Sequence, residues 1–386
     1  MIEIDDKKAC TGCTACISSC PKSCIVMEPD EEGFMYPKVS IDKCIDCKIC
    51  ERVCPMKRIN NVPQIVKSVA AISVNATIRK RSSSGGVFYA LSEYVISHGG
   101  IVYGVSFDDN WNVVHSHADT IEGIEAFCGS KYVQSSLDGI FKQVLDNLKQ
   151  KRMVLFSGTP CQIAGLRSFL KVEYETLFTV EVSCHGVPSP KIWRSYLDFL
   201  LPDNMSLLEF SFRNKEKGWR GYRIAYSAKQ ISNVDKFKES SEEHSKNLYY
   251  NLFLNNFTLR PSCYSCHFKQ GKSGADINIG DCWGVDSSSI LNDDGGVSSI
   301  IVYTKKGESI INNLSIIMEE IDYDRIVVYN PCLISSVSEP NNRKAFWSDF
   351  IANGFRGVKK YYKSTDTVKN RIIKRLLKIK NDLVKR

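Results

Sequence analysis

A cysteine repeat near the start of the chain constrains its fold more than any other feature. The pattern C-x2-C-x2-C-x3-C-P occurs twice, with its cysteines at Cys10, Cys13, Cys16 and Cys20 and again at Cys44, Cys47, Cys50 and Cys54. Three thiolates spaced this closely can bind three corners of one 4Fe–4S cube from a tight loop, while the fourth cysteine reaches the other cube. The spacing therefore predicts two cluster sites, namely Cys10, Cys13, Cys16 and Cys54, and Cys20, Cys44, Cys47 and Cys50.

The unit that carries this repeat is too small to be held together by an apolar core alone. Bound clusters must therefore supply much of its folding energy, and clusters of this kind transfer single electrons. Two zinc knuckles are the alternative, but structural zinc sites use paired C-x2-C spacings instead of this triplet. Cys24 lies outside the pattern, and we expect it to be a small buried residue.

Composition indicates a globular protein and the cellular compartment that we expect for it. The chain has 386 residues, 43% hydrophobic and 24% charged, which predicts two or three globular domains. Its first residues lack the pattern of a signal peptide, and no apolar run approaches the roughly 18 residues of a membrane helix. We therefore expect a cytoplasmic protein whose sixteen cysteines include metal ligands or redox centres instead of disulfides.

The net charge of +8 is concentrated at one end of the chain. Residues 358–386 carry a net charge of +9, so the rest of the chain sums to −1 and nucleic-acid binding is not implied. Within this tail, one face of a predicted helix is apolar, formed by Val368, Ile372, Leu376, Ile379 and Leu383. We expect this helix to dock on its own protein or on a partner subunit, with peripheral contact at the inner membrane face as the alternative.

Beyond residue 63 the sequence alternates between strand and helix patterns. Helices are predicted after residue 86, at 137–149, after Thr159 and from Pro190, and strands at 101–107, 113–118, 153–156, 178–183, 208–213, 223–227 and 299–304. These patterns predict an α/β or α+β body with at least one βαβ unit.

Four cysteines of this body fall at positions suited to a third metal site. Thr159 suits a helix N-cap, which places Cys161 in the first turn, while Cys184 follows the next strand. Because parallel strands share one carboxyl edge, these two thiols can face one crevice. Cys263 and Cys266 add two thiols at a chelating spacing. Four thiolates fit a third 4Fe–4S cluster, with a zinc site as the alternative. The histidine after the second pair also matches c-type haem attachment, which belongs outside the cytoplasm.

Six short motifs occur in the body in a fixed order. They are SSSGG at 82–86, GSKYVQS at 129–135, GTPCQ at 158–162, CHGVPS at 184–189, RPSCYSC at 260–266 and GDCWG at 280–284. Together they resemble the beta subunit of coenzyme F-420 hydrogenase/dehydrogenase over roughly residues 65–320. The N-terminal unit resembles a bacterial dicluster ferredoxin, as in the dehydrogenase-subunit forms of that family.

The resemblance implies FAD and a 4Fe–4S cluster beside it. It makes Cys161, Cys184, Cys263 and Cys266 the ligands of that cluster, with Cys282 in reserve. It also implies cofactor contacts, for which the matching positions are Ser84, Gly85, Gly86, Lys131, Gln134, Gly158 and Thr159. Small residues before a helix N-terminus suit a phosphate, although a plain turn is the alternative for the SGG segment.

The predicted fold is a small dicluster ferredoxin-like domain fused to a mixed α/β domain that binds flavin and iron–sulfur. We expect the ferredoxin-like domain at 1–62, beta-subunit-like N-terminal and C-terminal regions at 63–150 and 151–325, and an extension at 326–386.

The predicted function is that of an FAD- and 4Fe–4S-dependent oxidoreductase. It would exchange electrons between a one-electron carrier such as ferredoxin and an unidentified small organic substrate. The resemblance leaves open whether that substrate is coenzyme F-420, and it suggests a link to surface polysaccharide synthesis. The alternatives are a non-catalytic electron-transfer subunit of a larger redox complex and a zinc-bearing scaffold.

Overall fold

Each copy of the cysteine repeat folds into a tight loop that ends in one short helix. The computed structural model describes residues 1–58 and 60–362. The two short helices are α1 (Ala15–Ser18) and α2 (Ile49–Arg52), separated by the antiparallel hairpin of β1 (Ile25–Pro29) and β2 (Met35–Val39). The residue before each helix, Thr14 or Lys48, has a left-handed backbone with φ of 63° or 59°. The sequence repeat is therefore also a structural repeat.

The body is built on one eight-stranded mixed sheet. After the hairpin the strands are β3 (Lys67–Ser73), β4 (Ile101–Phe107), β5 (Val113–Ala118), β6 (Val154–Gly158), β7 (Leu177–Val182), β8 (Met205–Asn214), β9 (Arg223–Gln230), β10 (Asn233–Glu243), β11 (Ile277–Asp281), β12 (Ser298–Val302) and β13 (Ile316–Glu320). The large sheet has the order β13-β3-β12-β11-β7-β6-β4-β5, while β8, β9 and β10 form a separate antiparallel sheet. Because β4, β6, β7 and β11 run parallel, their carboxyl ends lie at one edge.

Helices cover both faces of the large sheet. They are α3 (Ala76–Arg81), α4 (Val87–Ser97), α5 (Ile121–Ile124), α6 (Ile140–Lys149), α7 (Pro160–Leu170), α8 (Pro190–Leu200), α9 (Leu248–Leu254), α10 (Lys305–Ile311), α11 (Tyr323–Tyr329) and α12 (Arg343–Gly357). Leu155 packs in one apolar cluster with Leu91 of α4. Its neighbour Phe156 packs in another with Phe141 of α6 and Ile163 of α7. Successive residues of β6 therefore serve opposite faces, as expected for a strand buried on both sides.

The smaller sheet is joined to the helices by an aromatic core. Trp193 of α8, Phe212 of β8 and Tyr249 of α9 are buried together, with ring centroids 5.2 to 5.8 Å apart. Phe346 of α12 lies in the same cluster. Because aromatic side chains bury much apolar surface, this cluster holds β8 and β9 rigidly beside the large sheet.

The predicted fold class is confirmed, a small ferredoxin-like unit and a mixed α/β body. The hairpin of β4 and β5 has the predicted bounds, Thr159 is the N-cap of α7, and the helix predicted over 137–149 begins at Ile140. The patterns predicted no strand at β3 or β11. Both are short segments of small and polar-interrupted residues, so neither shows a clear alternation, and long-range pairing decides their conformation.

The predicted segments of the body share structural elements. Strands from 63–150 and from 151–325 lie in one sheet, and α12 of the extension packs against α8. The helix predicted around Val368 to Leu383 lies outside the described residues. Among the residues that are described, every helix is too short or too polar to cross a membrane.

A buried ion pair ties the ferredoxin-like unit to the body. Glu32, in the turn between β1 and β2, accepts two hydrogen bonds from Arg343 at the start of α12, one of 2.7 Å. Arg343 also donates to the carbonyl oxygen of Leu259 (2.9 Å) and to the hydroxyl of Tyr264 (3.0 Å). Both charged residues are over nine-tenths buried, so each depends on the other for compensation.

We expect Glu32→Gln to destabilise the protein by about 3–5 kcal/mol, because the buried guanidinium loses its counter-charge. The measurement is guanidinium-induced unfolding of anaerobically prepared protein, followed by tryptophan fluorescence. The matched control is Glu28→Gln in the same hairpin, where the ion pair with Lys38 is exposed and a change below about 1 kcal/mol is expected. Equal midpoints for the two variants would contradict the anchoring role of Glu32.

Candidate functional site

The N-terminal cysteines surround two separate spaces, grouped as their spacing predicts. One space is lined by Cys10, Cys13, Cys16 and Cys54. The other is lined by Cys20, Cys44, Cys47 and Cys50. Each group combines three cysteines of one loop with the fourth cysteine of the other loop, which is the arrangement that dicluster ferredoxins use. We call these two sets the first and the second thiol group.

The chemistry around the N-terminal sulfur atoms fits bound clusters. The backbone N–H of Ile2 donates to Cys50 Sγ at 3.3 Å. Burial, with smaller contributions from Cys10 and Cys54, raises the pKa of the Cys16 thiol to about 12. A buried thiolate is therefore unfavourable by itself, and a cluster that supplies positive charge would stabilise it.

Cys24 is buried, as expected, but it is not remote from the clusters. Its Sγ lies 3.4 Å from Cys20 Sγ, and it lines the space of the second thiol group. The spacing rule gives this cysteine no ligand role, so only the folded chain reveals its position.

Three separate elements carry the four cysteines predicted for a third site. Cys161 lies in the first turn of α7, and Cys184 lies just beyond β7, at the common edge of the parallel strands. Cys263 belongs to the short 3-10 helix Pro261–Ser265, and Cys266 follows it directly. We call this set the third thiol group.

Electrostatics identify these four thiols as neighbours. Burial, with smaller contributions from Cys266 and Cys184, raises the pKa of Cys161 to about 12. Burial likewise raises the pKa of Cys263 to about 12, with Cys161 and Cys266 contributing. The shifts at Cys161 and Cys263 place these thiols near their neighbours in the set, and a group of neighbouring thiols suits a cation or cluster. In the described ranges, no three His, Cys, Asp or Glu side chains are arranged to hold a single metal ion, and this applies to all three thiol groups.

A glycine brings the first and third thiol groups close together. Gly165 lies one turn after Cys161 on α7, and a Cβ atom added to it would lie 2.9 Å from Cys13 Sγ and 2.7 Å from Cys13 Cβ. Residues four apart share a helix face, so Cys161 and Gly165 lie on the same face of α7. Cys161 is therefore about one helical turn, roughly 5 to 6 Å along the axis, from the place where Gly165 contacts Cys13. The ferredoxin-like unit therefore docks beside the third thiol group.

A cavity of about 440 Å³ lies on the other side of this group, at the carboxyl edge of the parallel strands. Its wall includes Cys184 and Cys332. Burial raises the pKa of the Cys184 thiol, with smaller contributions from other thiols that include Cys332. Lys269 Nζ donates to the carbonyl oxygens of both cysteines, at 2.7 Å each, and holds their loops together. Edges of this kind are the usual ligand sites of α/β proteins.

Five of the seven residues predicted to contact the cofactor line this cavity. They are Ser84, Gly86, Lys131, Gly158 and Thr159. Gly86 has a φ of 90° and is the N-cap of α4, where no side chain caps the helix. The first N–H groups of α4 are therefore suited to an anion such as a pyrophosphate. Lys131 Nζ donates to the carbonyl oxygens of Ala126 (2.8 Å) and Cys128 (3.0 Å), which leaves its third hydrogen for a ligand.

The structure places the other two predicted residues elsewhere. Gly85 packs against the sheet, where an added Cβ would lie 2.3 Å from the carbonyl oxygen of Ala71. Gln134 bridges the two parts of the chain, since its Nε2 donates to the Thr11 carbonyl oxygen (3.0 Å) and its Oε1 accepts from Arg260 (3.0 Å). The reserve ligand Cys282 is buried in an apolar cluster.

Arg213 lines the cavity, although no sequence motif pointed to it. It pairs with Asp281 at 2.9 and 3.1 Å and stacks on the ring of Tyr222, 4.0 Å from the centroid. Its Nη2 donates to the carbonyl oxygen of Ser83 (3.2 Å), and its buried Nε has no hydrogen-bond partner among the described residues. A single arginine near the end of a strand forms no sequence motif, so the sequence alone does not predict that Arg213 lines the cavity.

A dicluster ferredoxin-like unit docked beside a body that has its own thiol group and cavity is an arrangement suited to electron transfer. Residues 9–58 match the 4Fe-4S dicluster domain. Residues 151–324 match the C-terminal family of the coenzyme F420 hydrogenase/dehydrogenase beta subunit. The match to that family covers residues 151–324, slightly less than half of the chain.

Individual relatives match parts of this chain. The coenzyme F420-dependent sulfite reductase of Methanocaldococcus jannaschii is 28% identical over 324 residues, which cover 80% of this chain and 46% of that protein. This chain thus spans about half the length of that relative. An uncharacterised ferredoxin of the same organism is 36% identical over 56 residues, covering 14% of this chain and 71% of the ferredoxin.

One solved structure that contains a similar chain is the F420-reducing [NiFe] hydrogenase complex of Methanosarcina barkeri. The match has a TM-score of 0.44 and 18% identity, and it covers 78% of this chain and 95% of that one.

We expect Gly165→Ala to destabilise the protein by about 1–3 kcal/mol, because the added methyl group overlaps Cys13. It should also speed the loss of iron from the N-terminal unit to a chelator. Thermal unfolding and the decay of visible absorbance measure the two effects. Helix propensity alone would make the variant more stable by about 1 kcal/mol, so a stabilised variant would contradict the close packing.

Proposed function

We propose that the chain is a 4Fe–4S- and FAD-dependent oxidoreductase that passes electrons between a one-electron carrier and an organic substrate in the cavity. The observation that carries this proposal is the position of the third thiol group. It lies between the docked ferredoxin-like unit, through Gly165 and Cys13, and the cavity wall at Cys184. The thiol groups would thus form a continuous route for electrons into the cavity.

The chain's own residues support a redox route in this order. The second thiol group lies at the outer end, where Ile41 and Ile45 expose 72% and 58% of their surface. The first thiol group is adjacent to α7, whose first turn carries Cys161. An external carrier can therefore approach the second group, while the third group lies next to the docked unit and the cavity.

The cavity supports a flavin by shape and by charge. When bound, clusters move single electrons and a flavin exchanges these for the electron pairs of organic redox chemistry. The open N-terminus of α4 and the Lys131 ammonium suit the pyrophosphate of FAD. Lys215 Nζ donates to the carbonyl oxygens of Ser84 (2.9 Å) and Arg79 (2.6 Å), which holds the loop before α4 in place.

Coenzyme F420 is the first substrate to test. The sulfite reductase relative depends on that coenzyme by name, although this chain spans only 46% of it. An electron-transfer subunit without catalysis of its own remains the competing hypothesis, and a link to surface polysaccharide synthesis stays a prediction. No described residue distinguishes among these substrates.

Anaerobic purification tests the proposal directly. We expect about 12 iron atoms per chain from three clusters, with one FAD and reduction of the flavin by a reduced ferredoxin. About eight iron atoms and no flavin would overturn it. Full cofactor content without turnover of any F420 or other small-molecule acceptor, together with a co-purifying catalytic subunit, would favour the electron-transfer subunit instead.

We expect the double variant Cys263→Ser/Cys266→Ser to lose one cluster, with iron falling from about 12 to about eight atoms per chain. The N-terminal clusters should remain, because none of their predicted ligands is changed. Iron and zinc are both measured by mass spectrometry after anaerobic purification. Cys128→Ser is the matched control, since Cys128 lines the cavity outside the third thiol group. Loss of zinc instead of iron would favour the zinc alternative.

We expect flavin binding to weaken as the pH rises through about 8. Burial lowers the pKa of Lys131 to about 8, so the ammonium that would pair with a phosphate is present below this pH and lost above it. Each further pH unit should cost up to about tenfold in affinity. Lys131→Met should bind flavin more weakly at pH 7 and show a flatter pH profile, measured by fluorescence titration.

Lys215 can also contribute to the pH dependence of flavin binding, and this contribution must be separated from that of Lys131. Burial lowers its pKa to about 8 as well, but it holds backbone carbonyl groups instead of facing a ligand. The pH dependence of flavin affinity that remains in Lys131→Met measures the contribution of Lys215. An unchanged slope would contradict a role of Lys131 in flavin binding.

A further inference from the structure

Arg260 belongs to the body, yet its side chain reaches into the ferredoxin-like unit. It is 1% exposed and directly precedes the 3-10 helix that carries Cys263. Its Nε donates to the carbonyl oxygen of Cys10 (2.8 Å), and its Nη2 donates to that of Met35 (2.9 Å). Nη2 also lies 3.7 Å from Cys10 Sγ, within hydrogen-bond reach of a sulfur atom.

Within the described ranges, this guanidinium makes no direct ion pair with a carboxylate. Its plane lies over the ring of Tyr36, 4.3 Å from the centroid, and its remaining side-chain partner is the neutral amide of Gln134 at 3.0 Å. Among the described residues, no Asp or Glu forms an ion pair with Arg260. A buried charge without a counter-charge is costly, so the geometry requires a negative partner at this position.

The backbone of the first cysteine loop is shaped to admit this arginine. Gly12 has a φ of 71°, and a Cβ atom there would lie 2.9 Å from Arg260 Nη1. Any side chain at position 12 would therefore push the guanidinium away from Cys10. The close approach is a feature of both parts of the chain.

We propose that Arg260 is the counter-charge of the cluster bound through Cys10 and that it raises the reduction potential of this cluster. A 4Fe–4S cluster with four thiolates carries a charge of about −2 when oxidised and about −3 when reduced. A buried cation hydrogen-bonded to one of its sulfur ligands stabilises the reduced form more than the oxidised form. The body thereby adjusts the electron affinity of the ferredoxin-like unit that docks on it.

The second thiol group has no equivalent of Arg260 among the described residues. The N–H that donates to Cys50 Sγ, at 3.3 Å, is the neutral backbone group of Ile2, and within the described ranges no buried arginine or lysine donates to the sulfur atoms of this group. The two N-terminal clusters should therefore differ in potential, and the higher potential belongs to the cluster beside the body. Electrons that enter at the exposed end would then collect next to the third thiol group.

Potentiometric titration of the full holoprotein, followed by electron paramagnetic resonance, tests this inference. In Arg260→Met we expect the potential of the cluster bound through Cys10 to fall, with its reduced-to-oxidised ratio at a fixed potential lowered at least about tenfold, which is about 59 mV for one electron. The reduction potential of the cluster bound by the second thiol group should stay constant, and it serves as the internal reference. Lys8→Met removes the same charge two residues before Cys10, but its side chain is 46% exposed and paired with Glu339, so little change is expected.

A second variant covers the case in which Arg260→Met does not hold its full iron. Gln134→Glu keeps Arg260 and places a carboxylate about 3.0 Å from its Nη1, at the position of the present amide oxygen. We expect the same cluster to shift to a lower potential. Unchanged potentials in the variants that retain their clusters would overturn the proposal, as would an equal shift of both N-terminal clusters. The readout is independent of flavin binding and turnover, so it can fail while the proposed function stands.

Discussion

The rest of the structure depends on the close packing of Cys13 against Gly165. Because Gly165 has no side chain, the first cysteine loop approaches α7 within van der Waals distance. The same helix begins at the carboxyl edge of the parallel strands and carries Cys161 in its first turn. This contact thus places the first cysteine loop against the helix that carries Cys161. Electron transfer between the thiol groups needs short separations, which a bulkier side chain at position 165 would lengthen.

Buried charged side chains join the ferredoxin-like unit to the body. Glu32 and Arg343 pair where the hairpin meets α12, while Arg260 reaches from the body to Cys10 without a carboxylate partner among the described residues. The first pair compensates itself and serves as an anchor. Arg260 instead depends on the negative charge of ligated sulfur, so docking of the two parts and the electronic properties of the cluster are coupled.

Local sequence patterns predicted which N-terminal cysteines lie around the same space. The triplet spacing grouped Cys54 with the first loop and Cys20 with the second, because a tight loop allows only three of its cysteines to reach one cube. Thr159 was recognisable as an N-cap because capping is decided within one helical turn. Neither inference needed any knowledge of the body's packing.

Other residues could not be read from short patterns. Gln134 belongs to a motif that suggested a cofactor contact, yet its amide bridges Thr11 and Arg260. Arg213 reaches the cavity from a strand of the second sheet, and Cys332 reaches it from the short 3-10 helix Pro331–Leu333. The sequence alone determined which cysteines belong together in the N-terminal unit, because ligand spacing is a local property. Only the tertiary structure decided which polar side chains face the cavity and which bridge the two parts, because those contacts join residues distant in the chain and depend on sheet order and helix packing.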